Sequence, residues 1–320
     1  MASLKKSHAS SGSSHSKAAK FKRYLPLYLM FLPGAIYLLI NNYIPMAGII
    51  VAFKKYNARL GIWKSPFCGL ANFEFLFASS DAWTITRNTL LYNLAFIILG
   101  NVIAVFIAIL LNEIQSKWFK KVSQTMMFLP YFISQVLVGV LVYNLLNYDF
   151  GFVNGIIRAL GGSEDHLLNP YGNPNVWPVL MVLINLWQKT GYNSVVYFAA
   201  ICGIDSEIIE AAKVDGANGF QKIRYIILPS LKPTIVILLL FALGGIVKGD
   251  FGLFYNIVGT NSLLYPTTDI IETYVYRATM TDFNFSYASA VGLYQSIIGF
   301  VMVMVVNGVG KKIEPDYSLF

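Results

Sequence analysis

Charge is scarce in this sequence. Asp, Glu, Lys and Arg make up 12% of its 320 residues, about half the share of an ordinary soluble domain. Hydrophobic residues reach 56%, so water is not the main solvent of the folded chain. Cysteine is scarcer still. Cys68 and Cys202 are the only two, in stretches placed below on opposite sides of a membrane, so neither a disulfide framework nor a cysteine metal cluster is supported. The histidines, His8, His15 and His166, are scattered over tail and loop, which argues against a metal site. No clustered nucleophile stands beside a base.

What is abundant is uncharged, apolar length. Residues 24–53, 88–112, 122–148 and 283–310 contain no Asp, Glu, Lys or Arg, and each is long enough to cross the hydrocarbon core. Residues 176–204 are equally apolar but carry Lys189, and 233–247 lie between Lys232 and Lys248. At 1.5 Å per residue the last run covers only about 22 Å. It spans only if Lys232 snorkels or the helix continues beyond Lys248. The expected fold is thus all-α: a polytopic membrane protein with six transmembrane helices over 24–310, after a disordered basic tail (1–23) and before a short tail (311–320). The apolar run begins after residue 23 and lacks a cleavage-site ending, so it is expected to be retained.

The net charge of +8 would raise the question of nucleic acid in a soluble protein, but in a membrane protein basic residues gather at cytoplasmic span ends. With both termini in the cytoplasm, Lys5, Lys6, Lys17, Lys20, Lys22 and Arg23 lie inside, followed by Lys117, Lys120 and Lys121. Lys213, Lys222, Arg224, Lys232, Lys311 and Lys312 complete the inside majority of the 24 basic residues. Lys54, Lys55, Arg59 and Lys64 in the first external loop work against this orientation.

The loop between spans four and five, 203–229, reads GIDSEIIEAAKVDGANGFQKIRYIILP. Asp205 is a natural N-cap for a short helix through SEIIEAAKV, with Ile208, Ile209 and Ala212 as its apolar stripe and Glu207, Glu210 and Lys213 polar. Asp215-Gly216 predicts a turn, and a second amphipathic helix over 220–228 is expected to stop at Pro229. Such a helix–turn–helix is suited to docking into a groove of another protein.

Glu210-Ala211-Ala212, three residues, Gly216, then Ile226-Ile227-Leu228-Pro229 resembles the EAA motif (EAA-x3-G-x9-I-x-L-P) of permease subunits of binding-protein-dependent, type I ABC importers. YIPMAGIIVAFKKY, GLANFEFLF, RNTLLYN and FLPYFIS are similar to the carbohydrate-uptake, maltose-type branch, especially its polysaccharide and multiple-sugar members. The resemblance covers nearly the whole chain after residue 24. It implies a coupling helix, with Glu210, Ala211, Ala212, Asp215 and Gly216 on the ATPase. It also implies a second, homologous permease subunit, two copies of an ABC ATPase and an external solute-binding protein. No G-x4-G-K-S/T loop occurs, so ATP and Mg are expected on the partner ATPase and no cofactor on this chain. The bacterial cytoplasmic membrane is the implied location and a carbohydrate, in particular an oligosaccharide, the implied substrate.

In the fourth span, Asn185, Gln188 and Tyr192 fall at i, i+3 and i+7 on one face, with Lys189 and Asn193 beside them. An unpaired lysine at the bilayer centre costs about 2.5–3.5 kcal/mol on insertion scales, so Lys189 needs a wet cavity or a partner. Two readings stand: a translocation path hydrogen-bonding sugar hydroxyls, with Trp187 or Tyr192 stacking on the ring, or interhelical contacts between subunits. Lys248-Gly249-Asp250-Phe251-Gly252 is a polar interruption tolerated at membrane depth only where it lines a cavity or packs on protein. Lys248, Phe251 and Tyr255 share a face, whereas Lys248 and Asp250 do not. Asn256, Tyr294 and Gln295 are further path candidates, with packing as the competing reading. Asp81, Glu164 and Asp165 read as solvated.

Two other classes fit the sequence less well. A secondary transporter should show repeated halves and several buried carboxylates, and Asp250 is the only clear candidate here. An intramembrane enzyme would need a motif such as H-E-x-x-H, which the sequence lacks. An ABC importer permease for a peptide or amino acid remains the nearer alternative.

Overall fold

The structure, a computed structural model, describes residues 17–313. The tail expected over 1–23 lies outside the described residues as far as 16, and 17–23 belong instead to the first helix, α1 (Lys17–Leu38). The C-terminal tail expected at 311–320 lies outside them from 314 onward, and 311–313 end the last helix. Among the described residues there is no strand, only an isolated bridge between Lys54 and Phe67.

The chain divides between Ile50 and Val51. In the N-terminal unit α1 carries Pro26 and Pro33 and runs through a π turn, Leu39–Tyr43. Its apolar side chains are exposed almost throughout, Met30, Phe31 and Tyr37 among them.

The main body is strung along α2 (Asp81–Glu113), whose 33 residues extend about 50 Å. It contributes to three buried clusters: Ala82 and Ile85 to one, Tyr92 to a second with Trp177 and Met181, and Ala104 and Ala108 to a third with Tyr197 and Ile201. Small residues at a helix contact let backbones approach closely where lipid supplies no hydrophobic drive.

Next come α3 (Lys117–Phe128) and α4 (Gln135–Leu146). The charge-free run predicts one span over 122–148, but the pair Lys117–Phe132 and Gln135–Leu146 is bent by 95°. Pro130 sits in a 3₁₀ turn, Ile133 is extended, and Ser134 restarts the helix by accepting from the Leu137 N–H at 3.4 Å. Lost i→i−4 bonds at the bend are thereby partly replaced by a cap.

After α5 (Trp177–Cys202) and α6 (Ser206–Val214) the chain enters α7 (Gly219–Gly244). Pro229 does not stop it. A wider π turn at Ile223–Ile227 precedes the proline, which falls in the first turn of the regular segment that follows, where its missing N–H costs least. The short fifth span thus gains length backward to Gly219, giving 26 residues, rather than forward past Lys248. The helix breaks after Gly244, and beyond it lie α8 (Phe251–Val258), α9 (Ile271–Met280) and α10 (Phe285–Ile313).

Among the described residues four helices can cross a membrane by length and apolarity, Tyr24–Phe53, Asp81–Glu113, Gly219–Gly244 and Phe285–Lys312, and the bent pair makes a fifth. The fourth segment of the six read from sequence, α5, has the length, at 26 residues, but its polar middle keeps it out of that set. The loop after the first apolar run uses one of its basic residues internally: Lys54 is buried and donates to the Ile62 and Trp63 carbonyls at 2.9 and 3.0 Å.

Candidate functional site

The chain breaks its helix between Gly244 and Phe251, and that break organises a polar centre. Asn93 of α2 donates to the carbonyls of Ile246 and Lys248 at 2.7 and 3.1 Å, which satisfies backbone that lipid could not. Asp250 caps α8, accepting from the Leu253 N–H at 3.3 Å, a favourable place for a carboxylate at the positive end of a helix. The same carboxylate accepts from Gln135 Nε2 at 2.7 Å and is ion-paired with Lys189 Nζ.

Glycines beside Asp250 make room for this network. A Cβ on Gly252 would lie 1.7 Å from Gln135 Oε1, and one on Gly249 2.5 Å from Glu272 Oε2.

These groups line a cavity of about 560 Å³, within the range of small-molecule sites. Of the thirteen residues read as path candidates, it gathers Asn185, Lys189, Asn193, Lys248, Asp250 and Phe251. Lys248 is exposed there, and no hydrogen bond of its ammonium is found among the described residues.

The remaining candidates do not line this cavity. Gln188 turns away to donate to the Ile133 carbonyl at 3.0 Å, and its Oε1 is buried with no partner among the described residues. Tyr192 stacks on Tyr131 with centroids 4.2 Å apart, while Trp187 is exposed outside the cavity. Asn185, Gln188 and Tyr192 therefore do not act as one polar face. The cavity takes the i, i+4, i+8 row of Asn185, Lys189 and Asn193 instead. Asn256 donates to the Gly252 carbonyl at 2.7 Å, and Tyr294 meets Thr86 at 2.9 Å. Gln295 donates to Val247 O and to Glu272 Oε1, at 2.8 and 2.7 Å. Tyr255 faces a different pocket.

Sequence reading missed Asn93, Asn101, Gln135 and Thr190, which also line the cavity. Asn93 and Asn101 stand eight apart on α2 and so share a face, a signal that was present inside a charge-free run. Asp250 is also not the sole carboxylate withdrawn from water. Glu272 accepts from the Gly249 N–H at 2.6 Å, and Asp269 pairs with Arg277 at 2.5 Å.

Burial is the larger influence on the Asp269 carboxyl and pushes its pKa up, while Arg277 and Thr273 act to lower it. Asp81, read as solvated, is exposed and accepts from the Tyr274 hydroxyl at 3.3 Å.

At the other end of α5, Asp205 caps α6 by accepting from the Glu207 N–H at 2.9 Å. No residue of α6 is buried, and Val214 just before the turn is 87% exposed. The turn is a Schellman motif: Ala217 N–H donates to Ala212 O at 2.9 Å and Gly216 N–H to Lys213 O at 3.1 Å, with Gly216 at φ +79°. A reciprocal capping box between Asn218 and Gln221 then starts α7. Lys222 pairs with Glu113 at 2.7 Å, tying α7 to the end of α2.

Residues 73–316 match the family described as "Binding-protein-dependent transport system inner membrane component". The chain belongs to that family. Among its relatives, Protein LplB of Bacillus subtilis is 33% identical over 93% of this chain and 92% of its own length. The polygalacturonan/rhamnogalacturonan transport system permease protein YteP of the same organism is 36% identical over 89% and 88%. A chain of a bacterial alginate ABC transporter, solved in complex with an alginate pentasaccharide-bound periplasmic protein, superposes with TM-score 0.81 at 32% identity. That match covers 92% of this chain and 96% of the other. This family member is a multi-pass membrane transport component of the ABC-importer permease fold.

Proposed function

We propose that this chain is one permease half of an ATP-driven importer for a carbohydrate, in particular an oligosaccharide. The observation that carries the reading is the cavity at the helix break, where Asn93, Asn101, Gln135, Asn185 and Asn193 bring uncharged hydrogen-bonding groups beside the Lys189–Asp250 pair. Amide donors and acceptors suit a many-hydroxyl solute, whose hydroxyls each both donate and accept. Two of the similar proteins above carry saccharides in their names, which favours a sugar over a peptide or amino acid.

In this reading the chain binds no nucleotide. A homologous second permease completes the path, two ATPase subunits hold ATP and Mg, and an external solute-binding protein delivers the substrate. Helix α6 and the Gly216 turn dock on the ATPase from the cytoplasmic side of the inner membrane, and both termini lie on that side.

The test is uptake by the reconstituted complex in proteoliposomes, with labelled oligosaccharides, amino acids and peptides offered in parallel. Saccharide uptake dependent on ATP and on the binding protein is expected. Uptake of peptides or amino acids with no saccharide uptake would overturn the substrate class. For topology, Lys213→Cys should react with impermeant maleimide only from the inside, and labelling from outside alone would reverse the orientation. The mass of the purified complex should show one copy each of two unlike permeases, and two copies of this chain without a sibling would refute the pairing.

A further inference from the structure

Helix α8 has two faces. Leu253, Phe254, Ile257 and Val258 are buried in the cluster with Trp177 and Met181, so packing accounts for them. Phe251 and Tyr255, four apart on the other side, take no part in that core. They meet Tyr276 of α9 in a three-ring cluster: Phe251 stacks on Tyr255 at 5.1 Å, and Tyr276 lies 5.0 and 4.7 Å from the two.

Phe251 belongs to the wall of the polar cavity described above, whereas Tyr255 and Tyr276 wall a second pocket of about 310 Å³. One aromatic cluster therefore has a member in each compartment.

The second pocket is built for more than packing. Phe254 and Tyr265 add two more rings, with the Arg277 guanidinium 4.1 Å from the Tyr265 centroid. Asp269 holds Arg277 through both carboxylate oxygens and accepts from the Thr273 hydroxyl at 2.7 Å. The rim carries Thr260, Ser262 and Thr281. Flat rings beside fixed hydroxyl, carboxylate and guanidinium groups are complementary to a pyranose, which offers C–H groups on its face and hydroxyls around its edge. The volume is at the small end for a ligand site, about 300–1,000 Å³, and suits a short saccharide segment rather than a long chain.

We infer that this pocket is a receiving subsite for one end of an oligosaccharide, and that the Phe251–Tyr255–Tyr276 cluster forms a continuous aromatic wall from it to the polar cavity. The inference rests on the carbohydrate reading above and adds a second binding place to it. The pocket lies after α7 and so, in the proposed topology, on the outer side, where substrate arrives.

The test uses the complete complex in proteoliposomes, in a background carrying Cys68→Ser and Cys202→Ser. The probes are di-, tetra- and hexasaccharides of galacturonate and of glucose. Thr260→Cys, at an exposed rim position, should react with maleimide, and a transported probe without the binding protein should slow that reaction. Tyr276→Ala should abolish the protection and raise KM for the same probe about three- to tenfold with kcat less affected, the size expected for one lost aromatic contact. Tyr276→Phe should keep both near the parent.

Protection given by the unliganded binding protein and not by sugar would reassign the pocket to protein docking and overturn the inference. Uptake of a probe with no protection, and an unchanged KM in Tyr276→Ala, would overturn the subsite alone. A parent complex that takes up no saccharide at all overturns the carbohydrate reading and the subsite with it.

Discussion

Lys189 and Asp250 stand 61 residues apart in the chain and meet as an ion pair across the cavity between α5 and the break before α8. Removing one partner of a withdrawn pair strands the other, at a cost of about 3–5 kcal/mol when both are fully buried. Lys189 keeps 39% of its side chain exposed, so cavity water softens the loss to about 1–3 kcal/mol. Asp250→Asn and Lys189→Gln should each lower the thermal stability of the solubilised protein. The double variant should be less damaged than the two losses summed, with a coupling of about 1 kcal/mol or more. Strictly additive losses in a double-mutant cycle would mean that the two charges do not support each other.

The second anchor of Asp250 is Gln135, and it depends on Gly252 having no side chain. In Gly252→Ala the new methyl would occupy the position of Gln135 Oε1, 1.7 Å away, and the glutamine has to swing off. One hydrogen bond to a carboxylate is lost, about 1.5–3 kcal/mol at most. Because helix propensity favours Ala over Gly by roughly 1 kcal/mol, the net loss of stability should be modest, about 0.5–2 kcal/mol. Uptake should fall by contrast, since Asp250 loses its aim. Gln135→Ala should reproduce the uptake defect, and a Gly252→Ala complex with normal uptake would show the contact to be incidental.

A pH dependence follows from Asp269 and Arg277. The Asp269 side chain is only 6% exposed, and burial already pushes its carboxyl upward against the opposing pull of Arg277 and Thr273, with Asp81 adding a smaller upward push. Arg277→Met removes the larger pull, so the folded-state pKa moves further above the unfolded value of about 3.9. A carboxyl raised on folding contributes stability below the unfolded pKa and loses it as pH rises through the folded pKa. The variant should therefore approach the parent at about pH 4 and fall behind at neutral pH, by about 3–5 kcal/mol. Thermal melts across that range check it, and a deficit independent of pH would mean that Asp269 is not left charged and alone.

Local features were legible in the sequence and distant ones were not. The cap at Asp205, the extent of α6 and the left-handed turn at Gly216 follow from neighbouring residue types, and the structure has them where the spacing put them. Lys189 was recognised as needing a partner, but its identity depended on how two helices pack. The charge-free run over 122–148 gave no hint of direction, so the 95° bend at Pro130 and Ser134 stayed hidden. Pro229 misled for a related reason: a proline stops an isolated helix, yet a π turn and packing around the fully buried Ile227 carry this one through. The two readings of the α5 face could not be separated from sequence, because which side chains are claimed by neighbours, as Gln188 is by the Ile133 carbonyl and Tyr192 by the Tyr131 ring, depends on packing.

The loop around Gly216, proposed above to dock on the ATPase, makes the sharpest demand on single residues. Gly216 stands at φ +79°, and a Cβ there would meet nothing within 4 Å, so any effect of substitution comes from the backbone and not from a clash. A side chain in the left-handed region costs roughly 1–2 kcal/mol, more for a β-branched one, while asparagine tolerates it. Gly216→Val should therefore unwind the two bonds from Ala217 and Gly216 that close α6, and Gly216→Asn should largely preserve them. Glu210 lies on a helix with no buried residue, so Glu210→Ala leaves the fold intact and removes only what the carboxylate offers to a partner, about 1.5–3 kcal/mol if it meets a cation. In the reconstituted complex, Gly216→Val should lose substrate-stimulated ATP hydrolysis most severely, Glu210→Ala less, and Gly216→Asn least. All three should reach the membrane with the parent's thermal stability elsewhere in the fold. Wild-type stimulation in both Gly216→Val and Glu210→Ala would reduce this loop to a connector, because neither change touches the cavity 560 Å³ in volume where the substrate is proposed to pass.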